Sequence, residues 1–258
     1  MLTLNAIADR VAAIEPPRRY DPFSRQLTRD ELFELHAEWK PRLGLDWCEK
    51  SHIRYWHHRL VNVEQACAGR MAGDVREAVL RVMVAAATTS PDFRMLEIGT
   101  LFGVSAAATW DIAACLHDDA HLTIIDPLDG YYGTRRDPAT GLRVSRKTVE
   151  RNLARVGVPT GAVRLLQGLS QDTEIVARAS MQSYNFMVID GDHSYEGVRR
   201  DWATYAPLLD VGGFAIFDNY QDPSWPEVAQ AVDEITDDAR FELLGTGWRT
   251  AVIRRNAA

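Results

Sequence analysis

The sequence is poor in cysteine and has no excess of basic residues. Its three cysteines, Cys48, Cys67 and Cys115, are odd in number and widely separated, which fits neither a disulfide framework nor a zinc site. The net charge is -7, from 29 basic and 36 acidic side chains, so no broad basic field is available for nucleic acid. These two absences predict a protein of a reducing compartment that has no nucleic-acid partner.

Long apolar runs are also absent. No stretch approaches the roughly 18 consecutive apolar residues of a membrane span. The first ten residues, MLTLNAIADR, lack the basic segment and apolar segment of a secretory signal. We therefore expect a cytoplasmic protein without membrane association. The apolar content of 46% is nevertheless sufficient for the core of one large α/β domain with an accessory segment.

Residues 1–90 carry helical signals. Thr28 followed by Glu31 forms a capping box, which predicts the start of a helix that ends near Pro41. An amphipathic pattern over residues 74–87 predicts a further helix. We interpret this segment as a helical extension that covers one side of a binding site or forms a contact in a homo-oligomer.

Residues 91–258 are predicted to alternate between strands and helices, beginning with MLEIGTLFGVSAAA at 95–108. The first strand should end at Glu97, and Gly99 and Gly103, which lack a Cβ, let the following turn approach a ligand. The turn is not the G-x-G-x-x-G of dinucleotide sites, so no pyrophosphate cradle is predicted. An acid at this strand end suits the cationic amino group of S-adenosylmethionine, although an acid in a turn that binds nothing would also need a partner.

The second and third predicted strands add nucleoside-binding candidates. The strand at 122–126 ends in Asp126, whose carboxylate can accept hydrogen bonds from both hydroxyls of a ribose. After the third strand, the side-chain hydroxyl of Ser170 and the amide of Gln171 can read the edge of an adenine. The sequence therefore predicts a nucleoside bound across these loops.

Two later strands end in acids at what should be the same edge of the sheet. Asp190 ends one strand, and Asp218, followed by Asn219, ends its predicted neighbour. Three oxygen ligands of this kind suit Mg²⁺ much better than zinc. His193 lies three residues beyond Asp190, where it could act as a base without being a metal ligand. The alternative is that these strand-end acids cap the helices that follow them.

The segment 129–146 is long, rich in glycine and arginine, and without clear periodicity. Such loops in compact domains are usually functional or disordered, and this one leaves the predicted ligand-binding edge. We interpret it as a substrate lid in which Tyr131, Tyr132, Arg135 and Arg136 stack on and hydrogen-bond a sugar or a phenol.

Together the motifs LEIGTLFGVS, IIDP, GLSQD, VIDGDHSYEGVRRD and IFDNY resemble class I S-adenosylmethionine-dependent O-methyltransferases over about 95–254. The pattern is that of the metal-dependent catechol O-methyltransferase and, more closely, of the macrolide-sugar and cephalosporin-associated enzymes of the TylF and CmcI type, which share a histidine at the position of His193. The resemblance implies a Rossmann-like, mostly parallel α/β sheet with an antiparallel C-terminal strand. It also implies a cofactor site of Glu97, Gly99, Thr100, Gly103, Ser105, Asp126, Gly168, Ser170, Gln171 and Asp190, with Mg²⁺ on Asp190, Asp218 and Asn219 and His193 as the catalytic base.

The function expected from these residues is Mg²⁺-dependent transfer of a methyl group to a hydroxyl of a small molecule, a sugar or another natural product. A catechol-type phenol is the alternative acceptor. A nicotinamide-dependent oxidoreductase would share the sheet, but it would have no need of Asp190 beside Asp218. A nucleoside-binding protein without activity would keep Gly99 and Asp126 and have no use for His193.

Overall fold

The computed structural model of the protein describes residues 26–130 and 134–257, which contain eight α-helices and seven β-strands. Three helices precede the first strand: α1 (Arg29–Arg42), α2 (Lys50–Ala66) and α3 (Val75–Ala86). Strands and helices then follow in the order β1 (Asp92–Ile98), α4 (Val104–Ala113), β2 (Asp119–Asp126), α5 (Arg146–Val156), β3 (Val163–Gln167), α6 (Thr173–Ala179), β4 (Tyr184–Ile189), α7 (Tyr195–Tyr205), β5 (Leu209–Phe217), α8 (Pro226–Thr236), β6 (Phe241–Gly247) and β7 (Thr250–Arg255). No helix in the described ranges is both long and apolar enough to cross a membrane.

The seven strands form one sheet in the order β3-β2-β1-β4-β5-β7-β6. The first five strands are parallel, and β7 pairs antiparallel with both β5 and β6. The mostly parallel α/β sheet with an antiparallel C-terminal end is therefore confirmed. The strand order reverses between β1 and β4, and the crevice outside the carboxyl ends of such strands is where open α/β sheets bind ligands.

Each face of the sheet is covered by its own set of helices. Side chains of successive strand residues point to opposite faces, so Met95 on β1 packs with helices α1 to α5. Its neighbour Leu96 packs with α6 to α8. Two hydrophobic cores result, and the strands are apolar on both sides, as expected of a parallel sheet buried between helices.

The helices before β1 belong to the first of these cores. Trp39 of α1, Trp56 of α2 and Leu80 of α3 are buried with side chains of the sheet. The predicted capping box is confirmed, because the Thr28 side chain accepts a hydrogen bond from the backbone of Glu31 and the Glu31 side chain accepts one from the backbone of Thr28. The helical region packs directly on the sheet, and a domain boundary at residue 90 stays a prediction.

The predicted lid is anchored in its second half. Tyr131 and Tyr132, two of the four lid residues predicted to contact a sugar or a phenol, lie outside the described residues. Beyond them, Asp137 is fully buried and accepts hydrogen bonds from Arg70 Nη2 at 2.9 Å and from Thr140 Oγ1 at 2.8 Å. This ion pair fixes the segment to the loop between α2 and α3.

Although burial acts to raise it, hydrogen bonds from Arg70 and Thr140 hold the pKa of Asp137 below its ordinary value. The Asp137→Asn variant leaves the Arg70 guanidinium buried without its counter-ion, so we expect a loss of about 3–5 kcal/mol in the free energy of unfolding at pH 7. Because the native-state pKa is lowered, the contribution is present above the unfolded pKa and lost as the pH falls through the native one.

Urea unfolding of the variant and the parent at pH 7 and at lower pH measures both effects. The exposed pair of Asp238 and Arg240 provides a matched control, since Asp238→Asn should change little. Equal losses in the two variants would contradict the anchoring role of Asp137.

Candidate active site

A cavity of about 720 Å³ lies at the carboxyl ends of β1, β2, β4 and β5, within the size range of small-molecule sites. The sequence-predicted residues that line it are Gly99, Thr100, Asp126, Gly168, Ser170, Gln171, Asp190, His193, Asp218 and Asn219. These residues are separated by up to 120 positions in the sequence, between Gly99 and Asn219. The parallel sheet brings them to one edge.

Glu97, Gly103 and Ser105 do not line this cavity. Glu97 is not the last residue of β1, as the sequence suggested, because the strand continues through Ile98. Like Met95, it therefore faces α3, where its carboxylate is buried in an ion pair with Arg81 and accepts a hydrogen bond from Thr100 Oγ1 at 2.6 Å.

The two glycines of the turn also allow close packing of the protein against itself, and of the two Gly99 lines the cavity. Gly99 has φ +81°, and a Cβ there would overlap the carbonyl oxygen of Asp190. Gly103 has φ +70°, and its Cβ would lie 2.8 Å from Cγ1 of Val149 in α5. The first contact joins the end of β1 to the end of β4, which forms the floor of the cavity.

Asp126 joins the two loops that follow β1 and β2. Its Oδ2 accepts the backbone N–H groups of Thr100 at 2.8 Å and Leu101 at 3.3 Å, and its Oδ1 accepts that of Leu128 at 2.7 Å. Burial raises the pKa of this carboxyl, and the three amides oppose the rise. A carboxylate oxygen accepts about two hydrogen bonds, so Oδ1 retains room for a hydroxyl of a ligand.

The loop with Gly168, Ser170 and Gln171 is held from below by α7. Ser170 Oγ donates to Asp201 Oδ1 at 2.5 Å, and the Tyr205 hydroxyl donates to the Ser170 carbonyl at 2.6 Å. Burial raises the pKa of Asp201 to about 6. The Ser170 hydroxyl is thus engaged with α7, and the exposed Gln171 side chain remains for contact with a ligand.

Asp190 and Asp218 bring two interacting carboxyl groups together directly beyond β4 and β5. Burial raises the pKa of Asp190 to about 7 and that of Asp218 well above its ordinary value, and in Asp218 the charge of Asp190 adds to the rise. Asn219 follows with φ +58°, and its Nδ2 donates to Asp222 at 3.2 Å, which leaves the amide oxygen available as a ligand. Paired, half-buried carboxyls whose ionisation is suppressed are a ready acceptor for positive charge.

This donor set fits a hard divalent cation in its chemistry, because all three side chains offer oxygen. Within residues 26–130 and 134–257, no three His, Cys, Asp or Glu side chains gather in an arrangement suited to a metal. The third protein ligand would therefore have to be the amide of Asn219.

His193 lies beside these carboxyls and is buried. Its Nε2 is 3.2 Å from Asp190 Oδ1, and its ring meets that of Trp225 edge-on at 5.0 Å between centroids. Burial lowers the pKa of His193, while the charges of Asp218 and Asp192 oppose the shift. The ring is accordingly neutral near pH 7, the form that can accept a proton.

Several residues that line the cavity were missed by the sequence analysis. Asp74 and Glu77 line it from the start of α3, where the structure shows that they also form a capping box. Arg249 lines the opposite side together with Trp225 and Trp248, two tryptophans that the sequence left open as core residues or pocket wall. No sequence signal distinguishes these tryptophans from core residues, since their position depends on strand pairing and on the path of the segment after β5.

The Gly99→Ala variant tests the floor of the cavity. We expect it to lose more stability than the roughly 1–3 kcal/mol of a strained backbone conformation alone, because the added Cβ also overlaps the Asp190 carbonyl. Gly157→Ala is the matched control, since Gly157 has φ +97° and a Cβ added there would meet nothing within 4 Å. Chemical denaturation of both variants measures the difference, and equal losses would show that the contact with Asp190 is unimportant.

Comparison with known proteins finds a family model that matches part of the chain. Residues 96–220 match the family model described as "Methyltransferase domain". Mycinamicin III 3''-O-methyltransferase of Micromonospora griseorubida is 37% identical over 138 residues, which are 51% of this chain and 51% of that protein. The chain spans about half the length of the curated relatives it matches.

Solved structures agree on the fold. The O-methyltransferase NovP superposes with a TM-score of 0.57 at 22% identity, covering 71% of this chain and 81% of that one. The O-methyltransferase TomG from Streptomyces achromogenes, solved in complex with SAM, superposes with a TM-score of 0.52 at 15% identity, covering 77% and 90%. Residues 96–220 therefore match the methyltransferase-domain family, within a sheet that has the fold of O-methyltransferases of known structure.

Proposed function

We propose that this protein transfers a methyl group from S-adenosylmethionine to a hydroxyl of a small molecule, a sugar or another natural product. The observation that carries the proposal is the single cavity that joins the Gly99 and Asp126 loops to His193 and the paired Asp190 and Asp218. One half of the cavity has the features of a nucleoside site and the other half those of a reaction centre. The similarity to a 3''-O-methyltransferase supports a sugar hydroxyl as the acceptor.

The nucleoside half would hold the cofactor through loops that the protein already fixes. Asp126 Oδ1 would accept a ribose hydroxyl, and Gln171 would contact the adenine. Thr100 connects these loops to the buried Glu97. Its N–H donates to Asp126, and its hydroxyl donates to Glu97. Glu97 would then act on the methionine end through the electrostatics of the site, from beneath the cavity. Gly103 and Ser105, which the sequence predicts in the cofactor site, would also act indirectly, by shaping the turn after β1 and the start of α4.

The reaction half would hold Mg²⁺ on Asp190, Asp218 and Asn219, as in the catechol O-methyltransferase pattern and the TylF and CmcI type that the sequence resembles. When bound, the cation would stabilise the alkoxide form of an acceptor hydroxyl, and the cofactor would supply a methyl group on a positively charged sulfur. The raised pKa values of Asp190 and Asp218 support this assignment, since a cation would offset the burial and the neighbouring negative charge that suppress the ionisation of both carboxyls.

The chain's own residues would move the proton and align the reactants. His193 would take the proton from the acceptor hydroxyl, and its neutral state at pH 7 suits that role. Asp190 Oδ1 would orient the His193 ring and Trp225 would support it. The main contribution of the cavity would be to hold the acceptor oxygen in line with the methyl carbon, which removes most of the entropic cost of the encounter. No covalent intermediate with the protein is needed.

The acidic net charge supports a small-molecule acceptor over nucleic acid. Association into a homo-oligomer and a cytoplasmic location remain predictions from the sequence.

Mass spectrometry tests the proposed function directly. The protein is incubated with S-adenosylmethionine, Mg²⁺ and a panel of glycosylated natural products and catechols, and products are sought whose mass has increased by one methyl-for-hydrogen exchange. Calorimetry with S-adenosylmethionine and with NADH accompanies the panel. Binding of NADH in preference to S-adenosylmethionine, with no methylated product, would refute the proposal in favour of an oxidoreductase.

The proposed metal site predicts that activity depends on a divalent cation. Exhaustive EDTA treatment should abolish turnover, and Mg²⁺ should restore it. The Asp218→Asn variant should weaken Mg²⁺ binding measured by calorimetry, because one of two anionic ligands is lost. Asp210→Asn is the control, since Asp210 pairs with Arg94 outside the cavity lining. Full activity after removal of metal would refute the assignment.

The proposed base predicts different results for two substitutions of His193. His193→Ala should lower kcat by about 10²–10⁴ while the affinity for S-adenosylmethionine stays close to that of the parent. His193→Gln preserves a hydrogen-bond donor toward Asp190 but cannot accept the proton, so it should be as slow as the alanine variant. If the glutamine variant instead keeps most of the parent kcat, His193 only orients Asp190, and the proton goes elsewhere.

A further inference from the structure

Trp248 is a bulky, half-exposed residue to which the proposed chemistry assigns no role. It occupies the tight turn between β6 and β7, where Gly247 pairs with Thr250, and its side chain lines the cavity while remaining 56% exposed. Its φ is +57°, a conformation that is rare for a bulky residue. A two-residue hairpin turn requires such a φ, but the residues that usually supply it are glycine, asparagine and aspartate.

One face of the Trp248 ring is already covered. The guanidinium carbon of Arg76 lies 4.3 Å from the ring centroid, and Arg76 is held in turn by Glu31 at 2.6 Å. Because the residue as a whole is 56% exposed despite this contact, its side chain is not enclosed on both sides. A cation stacked on one side fixes the orientation of the indole, so the open face is a prepared surface for a flat ligand.

The same turn is tied to the reaction centre. Arg249, the residue after Trp248, donates through Nη1 to Asp222 Oδ2 at 2.6 Å, and that oxygen also accepts from Asn219 Nδ2 at 3.2 Å. A ligand on Trp248 would therefore lie within the same cavity as His193 and Asn219, at a fixed distance from the reacting atoms.

The charges of the cavity limit what this ligand can be. Its acidic lining residues in the described chain are Asp74, Glu77, Asp126, Asp190, Asp192 and Asp218. The basic residue among the described lining, Arg249, is paired with Asp222. With Asp190 and Asp218 bound to a divalent cation, Asp74, Glu77, Asp126 and Asp192 would remain, and a sulfonium cofactor would offset only part of their negative charge. An acceptor with phosphate groups would be repelled from a cavity of this composition.

We propose that Trp248 is the stacking platform for the acceptor, and that the acceptor presents an uncharged ring with one apolar face, such as a sugar already attached to an aglycone or a phenol, in preference to a nucleotide-activated sugar. The proposal rests on the methyl transfer proposed above. The indole face binds the C–H face of a sugar or the face of a phenol, and ligand sites use such aromatic walls together with a few polar groups that set orientation.

Kinetics of three variants test the platform, with the best glycoside and the best phenol of the panel as acceptors. Trp248→Ala and Trp248→Asn should each raise the KM for the acceptor about tenfold, with kcat within about twofold of the parent. The Kd for S-adenosylmethionine measured by calorimetry should not change. Trp248→Phe should restore most of the affinity.

The asparagine variant separates the ring from the backbone. Asparagine tolerates the left-handed conformation. A higher KM in this variant therefore comes from the missing indole and not from a distorted turn. Trp47→Ala is the matched control, because Trp47 is 47% exposed but lines a separate depression with Thr88 and Pro91 at the amino-terminal end of β1. It should leave all constants unchanged.

A second arm tests the charge. The same sugar is offered as a neutral glycoside and as its nucleoside diphosphate derivative, and we expect kcat/KM to favour the glycoside at least tenfold, while the phenol arm shows which neutral ring is preferred. Parent-like KM values in Trp248→Ala and Trp248→Asn, or preference for the nucleotide sugar, would overturn the inference while methyl transfer stands. Failure of the parent protein to bind S-adenosylmethionine or to methylate any acceptor would instead overturn the function on which the inference rests.

Discussion

Buried negative charge at the carboxyl edge of the sheet is the constraint on which the site depends. Burial raises the pKa of Asp190 to about 7, the nearby Glu97 and Glu77 add to the rise, and Arg81 opposes it. Arg81 is itself buried, donating to Glu97 and to Thr109 Oγ1 at 2.9 Å. One guanidinium cannot neutralise this many carboxyl groups, and charge buried without compensation is costly.

The protein can lower that cost in two ways. It can protonate carboxyls, as the raised pKa values of Asp190 and Asp218 imply, or it can bind positive charge from outside. Binding of a sulfonium and a metal at such a site would be favourable. Each ligand would remove part of the free-energy cost of the buried negative charge. The same logic makes the cavity a poor host for anions, so cofactor preference and acceptor preference have one physical origin.

The parts of this arrangement that were predictable are those with local signals. Strand-end acids such as Asp126, Asp190 and Asp218 were located because each directly follows an apolar run, and the sheet rules place such ends at one edge. The capping box of Thr28 and Glu31 could be identified from four consecutive residues. Glu97 was misplaced by one position, although the alternation of strand side chains already put it on the face of Met95, toward the helix that carries Arg81.

What was not predictable depends on pairs that are distant in sequence. Ser170 reaches Asp201, and Asn219 and Arg249 share Asp222. Predicting these contacts would require knowledge of how the helices and the C-terminal strands pack on the sheet. A tryptophan in such a sequence is equally consistent with a core position, and only the strand order shows that Trp248 is at the rim.

The antiparallel end of the sheet explains why that rim exists. Because β6 runs antiparallel to β7, and β7 antiparallel to β5, β6 has the same direction as the parallel strands and its turn returns to their carboxyl edge. The N-terminal helices support this turn: α1 contributes Glu31 and α3 contributes Arg76, which covers one face of Trp248. The Trp39 side chain of α1 packs close to Gly247. The helical region before the sheet thus acts on the acceptor side of the cavity through the β6–β7 turn, while the parallel strands and their loops form the cofactor side. Changes in α1 or α3 could therefore alter the acceptor that fits without disturbing the loops around Asp126.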